Sequence, residues 1–187
     1  KGFDGKWSEV SAGDNVSGQY TVSFTTAADA EFVTIYAQAY KQQNGSVGLD
    51  AVQLLPAGSE LPPDPAAPPA EPPTEPPVSE TPAQPPVDEA ENALANGDFS
   101  AGLSGWVEES SVTASATVAE VNGNPQLILQ PTEEGTARIS QQVAVEGGTE
   151  YQLTGQIFSA DGAYGYLGAK GFDGKWSEVS AGDNVSG

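Results

Sequence analysis

KGFDGKWSEVSAGDNVSG fills residues 1–18, and the same eighteen letters fill residues 170–187. The second copy begins 169 residues after the first (170 − 1). Chance does not produce eighteen identical positions, so the chain reads as one period of a tandem repeat plus an overlap. That period has to be settled before a fold is assigned. On this reading residues 1–57 are the C-terminal part of one β-sandwich repeat, 58–90 are a linker, and 91–187 are the N-terminal part of the next repeat. Joined at the duplicated stretch, the two parts make a domain of about 135 residues, enough to bury one core.

Within the duplicated stretch, residues 6–11 form a strand candidate between the turn signals Asp4-Gly5 and Ala12-Gly13-Asp14-Asn15. In the next segment Tyr20, Val22 and Phe24 alternate with Thr21, Ser23 and Thr25, the pattern of a half-buried strand. EFVTIYAQAYK, residues 31–41, puts Val33, Ile35, Ala37 and Ala39 on one face and Phe32, Thr34, Tyr36, Gln38 and Tyr40 on the other. Both faces carry bulk, so neither is simply solvated. Asn44-Gly45 is a tight-turn signal. VGLDAVQLL then closes the domain as a strand with Asp50, Val52 and Leu54 expected on one side.

Residues 62–86 hold 12 of the chain's 15 prolines, interleaved with Glu, Asp, Ala, Ser and Thr. Such a segment cannot form a core and favours extended polyproline II, reaching roughly 80 Å over its length. Beyond it, ALANGDFSAGLSGW reads as a short strand, a Gly-rich turn and a Trp. VTASATVAEV, PQLILQ, ARISQQVAV, TEYQLTGQIFS and YGYLGAKGF are five further strand candidates. Turn signals recur roughly every 8–12 residues without an amphipathic helix, which predicts an all-β sandwich or barrel.

The net charge is −20, from 26 acidic and 6 basic side chains, with no His, Cys or Met. Such a chain repels nucleic acid and anionic membrane surfaces. Without Cys there is no disulfide framework and no thiolate metal site. No apolar run approaches the ~18 residues of a membrane-spanning helix.

Reassembled at the splice, the two parts resemble a jelly-roll carbohydrate-binding module of the type associated with xylanases and endoglucanases. NGDFSAGLSGW (residues 96–106) resembles the opening of those modules and VAVEGGTEYQLTGQI (143–157) their middle. YLGAKGFDG (166–174) resembles the strand that follows, and YTVSFTT with VGLDAVQLL (within 20–55) the ending. The resemblance implies a jelly-roll β-sandwich, here split across a repeat boundary, with sugar gripped on one sheet. A pyranose has an apolar C–H face that stacks on aromatic rings, and its hydroxyls suit planar amides. The candidates are Tyr36, Gln38, Tyr40, Gln156, Tyr164 and Tyr166, with Phe158 and Lys170 beside them. The same residues could instead pack a second layer or a protein interface.

The resemblance also implies a structural Ca²⁺ near the first and last strands. Asp50 matches the carboxylate before the last strand, and backbone oxygens near Gly97 or Asp98 would complete the site. Where the family has an acid after the Phe of NGDF, this chain has Ser100. The alternative for Asp50 is a turn cap.

No catalytic residue is assigned: there is no His, Cys or Gly-x-Ser-x-Gly, and acids in a chain of this charge are mostly solvated surface. Two function classes follow. One is a non-catalytic structural or adhesive extracellular protein, an array or filament of such sandwiches whose partners are neighbouring repeats or copies of itself. The other is a polysaccharide-binding module serving an associated glycoside hydrolase. An eighteen-residue identity favours the array, because appended modules usually diverge.

Overall fold

A computed structural model describes residues 10–12, 17–40, 45–59, 92–161, 163–172 and 176–181. The linker beyond residue 59, the first part of the strand expected at 6–11, and Asn44 of the expected Asn-Gly turn lie outside the described residues. The described elements are all strands: β1 (Val10–Ala12), β2 (Ser17–Thr25), β3 (Phe32–Tyr40), β4 (Ser46–Pro56), β5 (Val107–Glu108), β6 (Ser115–Val121), β7 (Asn124–Gln130), β8 (Ala137–Ala144), β9 (Glu150–Ala160), β10 (Tyr164–Phe172) and β11 (Trp176–Ala181).

They form two antiparallel sheets. One runs β2-β9-β4-β7-β6, and the other runs β1-β10-β3-β8-β5, with β11 also on β10. From β7 to β10, and again from β2 to β4, each successive strand crosses to the opposite sheet. That alternation is the jelly-roll way of closing a sandwich. The core between the sheets includes Val33, Ile35, Leu49, Leu54, Phe99, Leu127, Ile139, Leu153, Ile157 and Leu167, each fully buried. The period-2 strands expected from sequence are present, and β3 buries both faces as its composition predicts.

Strands from residues 10–56 and from residues 107–181 share the same two sheets, so in this chain the two portions close one sandwich. The two copies of the duplicated stretch divide β10 between them. β11 pairs with Leu167–Phe172, and β1 pairs with Gly165–Leu167.

Two places depart from the sequence reading. β4 carries a bulge: Asp50 pairs with Gln156 and Gln53 with Thr154, so Ala51 and Val52 together face Gly155. Ala51 takes a left-handed φ of 51°. The extra residue flips the side-chain phase, so Val47 and Leu49 before it and Val52 and Leu54 after it all enter the core. Asp50 therefore does not share a side with Val52 and Leu54. Gly155 makes room for this crowding, since a Cβ there would lie 2.8 Å from the Leu167 side chain.

The second departure is residues 92–106, which form turns and no strand. Asn92 Oδ1 accepts from Leu54 N–H (2.9 Å), and the Asn92 amide donates to Val52 O (3.3 Å). Asn96 donates to Gly102 O and Ser104 O and accepts from Ala101 N–H. The Asn96 carbonyl takes the Trp106 indole N–H at 3.1 Å. Phe99 and Trp106 pack 5.7 Å apart beneath this loop. The bulge amide, left out of the ladder, donates to Gly97 O at 2.9 Å. β5, a two-residue strand on β8, follows the loop and has no periodic signal of its own.

The loop approaches β4 so closely that a Cβ on Gly97 would lie 1.9 Å from Val52 O. Gly97→Ala should therefore lower stability by roughly 2 kcal/mol or more, because backbone rather than a flexible side chain must move. Urea unfolding with an unchanged midpoint would show that the loop does not clasp the bulge.

Candidate functional site

The outer face of the β1-β10-β3-β8-β5 sheet is built by the residues that alternate with its core positions. On β3 these are Thr34, Tyr36, Gln38 and Tyr40. On β10 they are Tyr164, Tyr166, Gly168 and Lys170, and on β8 Arg138, Ser140 and Gln142. Strand register sets Tyr164 opposite Tyr40 and Tyr166 opposite Gln38, with Gln38 opposite Arg138 on its other side. Five of the six proposed sugar-contact residues, Tyr36, Gln38, Tyr40, Tyr164 and Tyr166, are thereby gathered on one face.

Their exposures differ. Tyr40 is 44 % exposed, and its ring meets Tyr166 edge-on at 5.1 Å with planes 82° apart. Tyr164 and Tyr166 are half-buried. Tyr36 is only 2 % exposed. The Arg138 guanidinium lies 4.7 Å above its ring centroid and the Lys170 ammonium 5.8 Å from it. Tyr36 thus anchors two cations, a geometry in which the ring's negative face offsets charge. Arg138 and Lys170 are the only Lys or Arg among the described residues, and both converge on this ring. Arg138 Nε is 3.2 Å from Glu109 Oε2, while its buried Nη2 has no hydrogen-bond partner among the described residues. That nitrogen is a donor suited to a hydroxyl or carbonyl oxygen. The Arg138 backbone is fixed through Ser110, whose hydroxyl accepts from its N–H (3.0 Å). The signal for Arg138 was obscure in sequence, because it depends on β8 lying beside β3.

Gln156 and Phe158 do not join the tyrosines. They lie on β9, in the opposite sheet, and point away from the core on the far side of the sandwich. β9 and β10 are consecutive strands, and from β7 to β10 consecutive strands alternate between sheets.

The three residues proposed around Ca²⁺ are brought together by the bulge. Gly97 O bonds to Val52 N–H, and Asp98 is close enough for its charge to act on Asp50. Asp50 is 9 % exposed. Burial pushes its carboxyl above the ordinary carboxylate value. The hydrogen bond from Ala51 N–H (2.7 Å) pulls it back, the Asp98 charge raises it again, and a hydrogen bond with Asn124 lowers it. Asp98 Oδ1 accepts from the Ser100 N–H and hydroxyl at 3.2 and 3.0 Å, so Ser100 donates to Asp98 at the position where the resemblance led to the expectation of an acid. Among the described residues no group of three or more acidic or His/Cys side chains is arranged to hold a metal.

The chain is 37 % identical over 76 residues to Exochitinase 1 of Streptomyces olivaceoviridis. The matched stretch is 41 % of this chain and 12 % of that protein, so the chain spans a small part of this relative. No family model matches the chain, and no solved structure matches it at a significant level.

Because the Asp50 pKa is raised in the folded state, its contribution to stability is fully present below the unfolded value and is lost as pH rises through the raised one. Asp50→Asn removes that penalty. The variant should melt higher than the native chain at neutral pH, and the gap should close as pH falls toward the ordinary Asp value. Equal melting temperatures across the pH range would show that Asp50 is not strained by burial.

Proposed function

We propose that this chain is a non-catalytic polysaccharide-binding β-sandwich. The observation that carries this is the gathering of Tyr40, Tyr164 and Tyr166 around Gln38 on one sheet face. The three rings offer stacking surfaces for pyranose C–H faces, and the Gln38 amide, 7 % exposed, lies at the floor between them. Tyr36 serves beneath them, holding Arg138 and Lys170 in place rather than meeting the ligand. The partial similarity to an exochitinase supports the ligand class. A match confined to 12 % of that protein leaves room for an accessory module rather than its catalytic machinery.

A second reading concerns the setting of the sandwich. The eighteen-residue identity of 1–18 and 170–187 supports tandem copies in an extracellular structural or adhesive protein, in which repeated glycan-binding sandwiches add avidity. A Ca²⁺ ion would fit as a structural element on Asp50 and Asp98 with the Gly97 region. A divalent cation there would offset the repulsion between two carboxylates, one of them buried.

Tyr40→Ala and Tyr166→Ala should each weaken binding in a soluble-polysaccharide panel that includes chitin oligomers and xylan. The loss should be several-fold, since such stacking is worth on the order of 1 kcal/mol per ring. A native chain that binds no member of the panel would remove the proposal. Separately, Ca²⁺ should raise the melting temperature of the native chain, and chelator should lower it again. The same shift in Asp50→Asn would place the ion elsewhere.

A further inference from the structure

We propose a second glycan-binding patch on the outer face of the β2-β9-β4-β7-β6 sheet, so that one sandwich can bridge two polysaccharide chains. The ligand class rests on the glycan reading above, whereas the patch is separate from the tyrosine face. Its centre is Phe158, a half-buried aromatic that points outward from the sandwich between the core positions of β9. Register sets Gly48 of β4 directly beside it, and Ile128 of β7 beside Gly48. Gly48 keeps this row flat. A Cβ there would sit 3.5 Å from Phe158 Cβ, 3.6 Å from its Cδ2, and 3.5 Å from Gln126 Oε1. The Phe158 ring and the Gln126 amide oxygen thus both border the bare backbone of Gly48.

The next row on the same face is two residues along each strand, roughly 7 Å away, and it carries three amides around the buried Asp50 carboxyl. Gln19 on β2 faces Gln156 on β9, and Gln156 faces Asp50 on β4. Gln126 on β7 lies next in this direction, because its neighbour Leu127 pairs with Leu49. An aromatic and apolar row thus runs beside a row in which three planar amides, Gln19, Gln156 and Gln126, accompany Asp50. A pyranose chain needs a stacking surface for its C–H face and bidentate partners for its hydroxyls within one sugar's width, and the two rows supply both. The described residues of this patch include no Lys or Arg, which fits a neutral glycan rather than an anion.

A purely structural role for Phe158 would be to cover Gly48, as aromatics often do beside glycines in sheets. That role explains the ring but not three glutamines in the adjoining row. The two glycan faces belong to opposite sheets, which pack about 10 Å apart, so ligands on them cannot be one continuous contact. Two sites on opposite sides would make the sandwich a cross-linker, and binding to immobilised polysaccharide would exceed either site alone.

The full chain is titrated calorimetrically with a short soluble oligosaccharide taken from whichever polymer of the panel binds. The native chain should take up two equivalents. Tyr40→Ala with Tyr166→Ala should retain one equivalent, and Phe158→Ala should retain the other, with circular dichroism confirming that each variant is folded. Phe158→Val, which keeps apolar cover over Gly48 but offers no ring, guards against a folding defect and should also lose one equivalent. One equivalent in the native chain, abolished by the tyrosine pair and unchanged by either Phe158 variant, overturns this patch and leaves the first reading standing. One equivalent lost only with Phe158 overturns the tyrosine face instead. No uptake of any glycan overturns both.

Discussion

β9 has no free edge. It pairs with β2 through nine consecutive positions, Thr25–Glu150 to Ser17–Phe158, and on its other side with β4 from Pro56–Tyr151 to Ser46–Ala160. β2 and β4 come from the first third of the sequence and β9 from the last, so this double pairing ties the two portions of the chain into one sheet. Its inward residues Tyr151, Leu153 and Ile157 are buried core, and the aromatic pair Phe24–Tyr151 stacks across the β2 pairing at 6.1 Å. Without β9, β2 would present an open ladder and an apolar face including Val22 and Phe24, a template for association.

The same double pairing explains the bulge. β4 has to match β9 and also meet the loop that precedes β5, and one extra residue lets it do both. Ala51–Val52 leaves the ladder, and the Val52 N–H turns to Gly97 O while Asn92 takes Leu54 N–H. The loop then lies over Phe99 and Trp106, closing that end of the core. Asp50 is pushed into a buried position beside Asp98 as a consequence of this geometry.

What could be read directly from residues was the alternation. Tyr20-Thr21-Val22-Ser23-Phe24 shows its buried and exposed sides in the letters themselves, and Phe32–Tyr40 shows bulk on both. Between β6 and β7 the Asn122-Gly123 pair takes left-handed φ at both residues, 54° and 85°, as a two-residue hairpin requires. What could not be read was anything set by a partner strand. The phase flip in β4 depends on β9 and on a loop more than forty residues away. The strand expected near residues 93–98 is replaced by turns because Asn92 and Asn96 satisfy the backbone by side-chain hydrogen bonds. Gln156 was grouped with Tyr164 on its chemistry, an amide beside aromatic rings, yet β9 and β10 lie in opposite sheets and send the two side chains to opposite faces.

The tyrosine face is also shaped by charge. In a chain of net −20, the two cations among the described residues sit over a single ring, and one of them is ion-paired with Glu109. Lys170 is 4 % exposed, so its desolvation has to be offset locally, and the Tyr36 ring contributes to that offset. Such cations do little at long range, since the chain as a whole carries a net charge of −20. Their effect is on shape. They pack against the buried Tyr36 ring, which leaves Tyr40, Tyr164 and Tyr166 as the rings of this face that reach the surface. A neutral sugar chain gains from that arrangement without being steered by the field, so its binding should depend weakly on ionic strength. A ligand held chiefly by Arg138 and Lys170 would instead be released by salt.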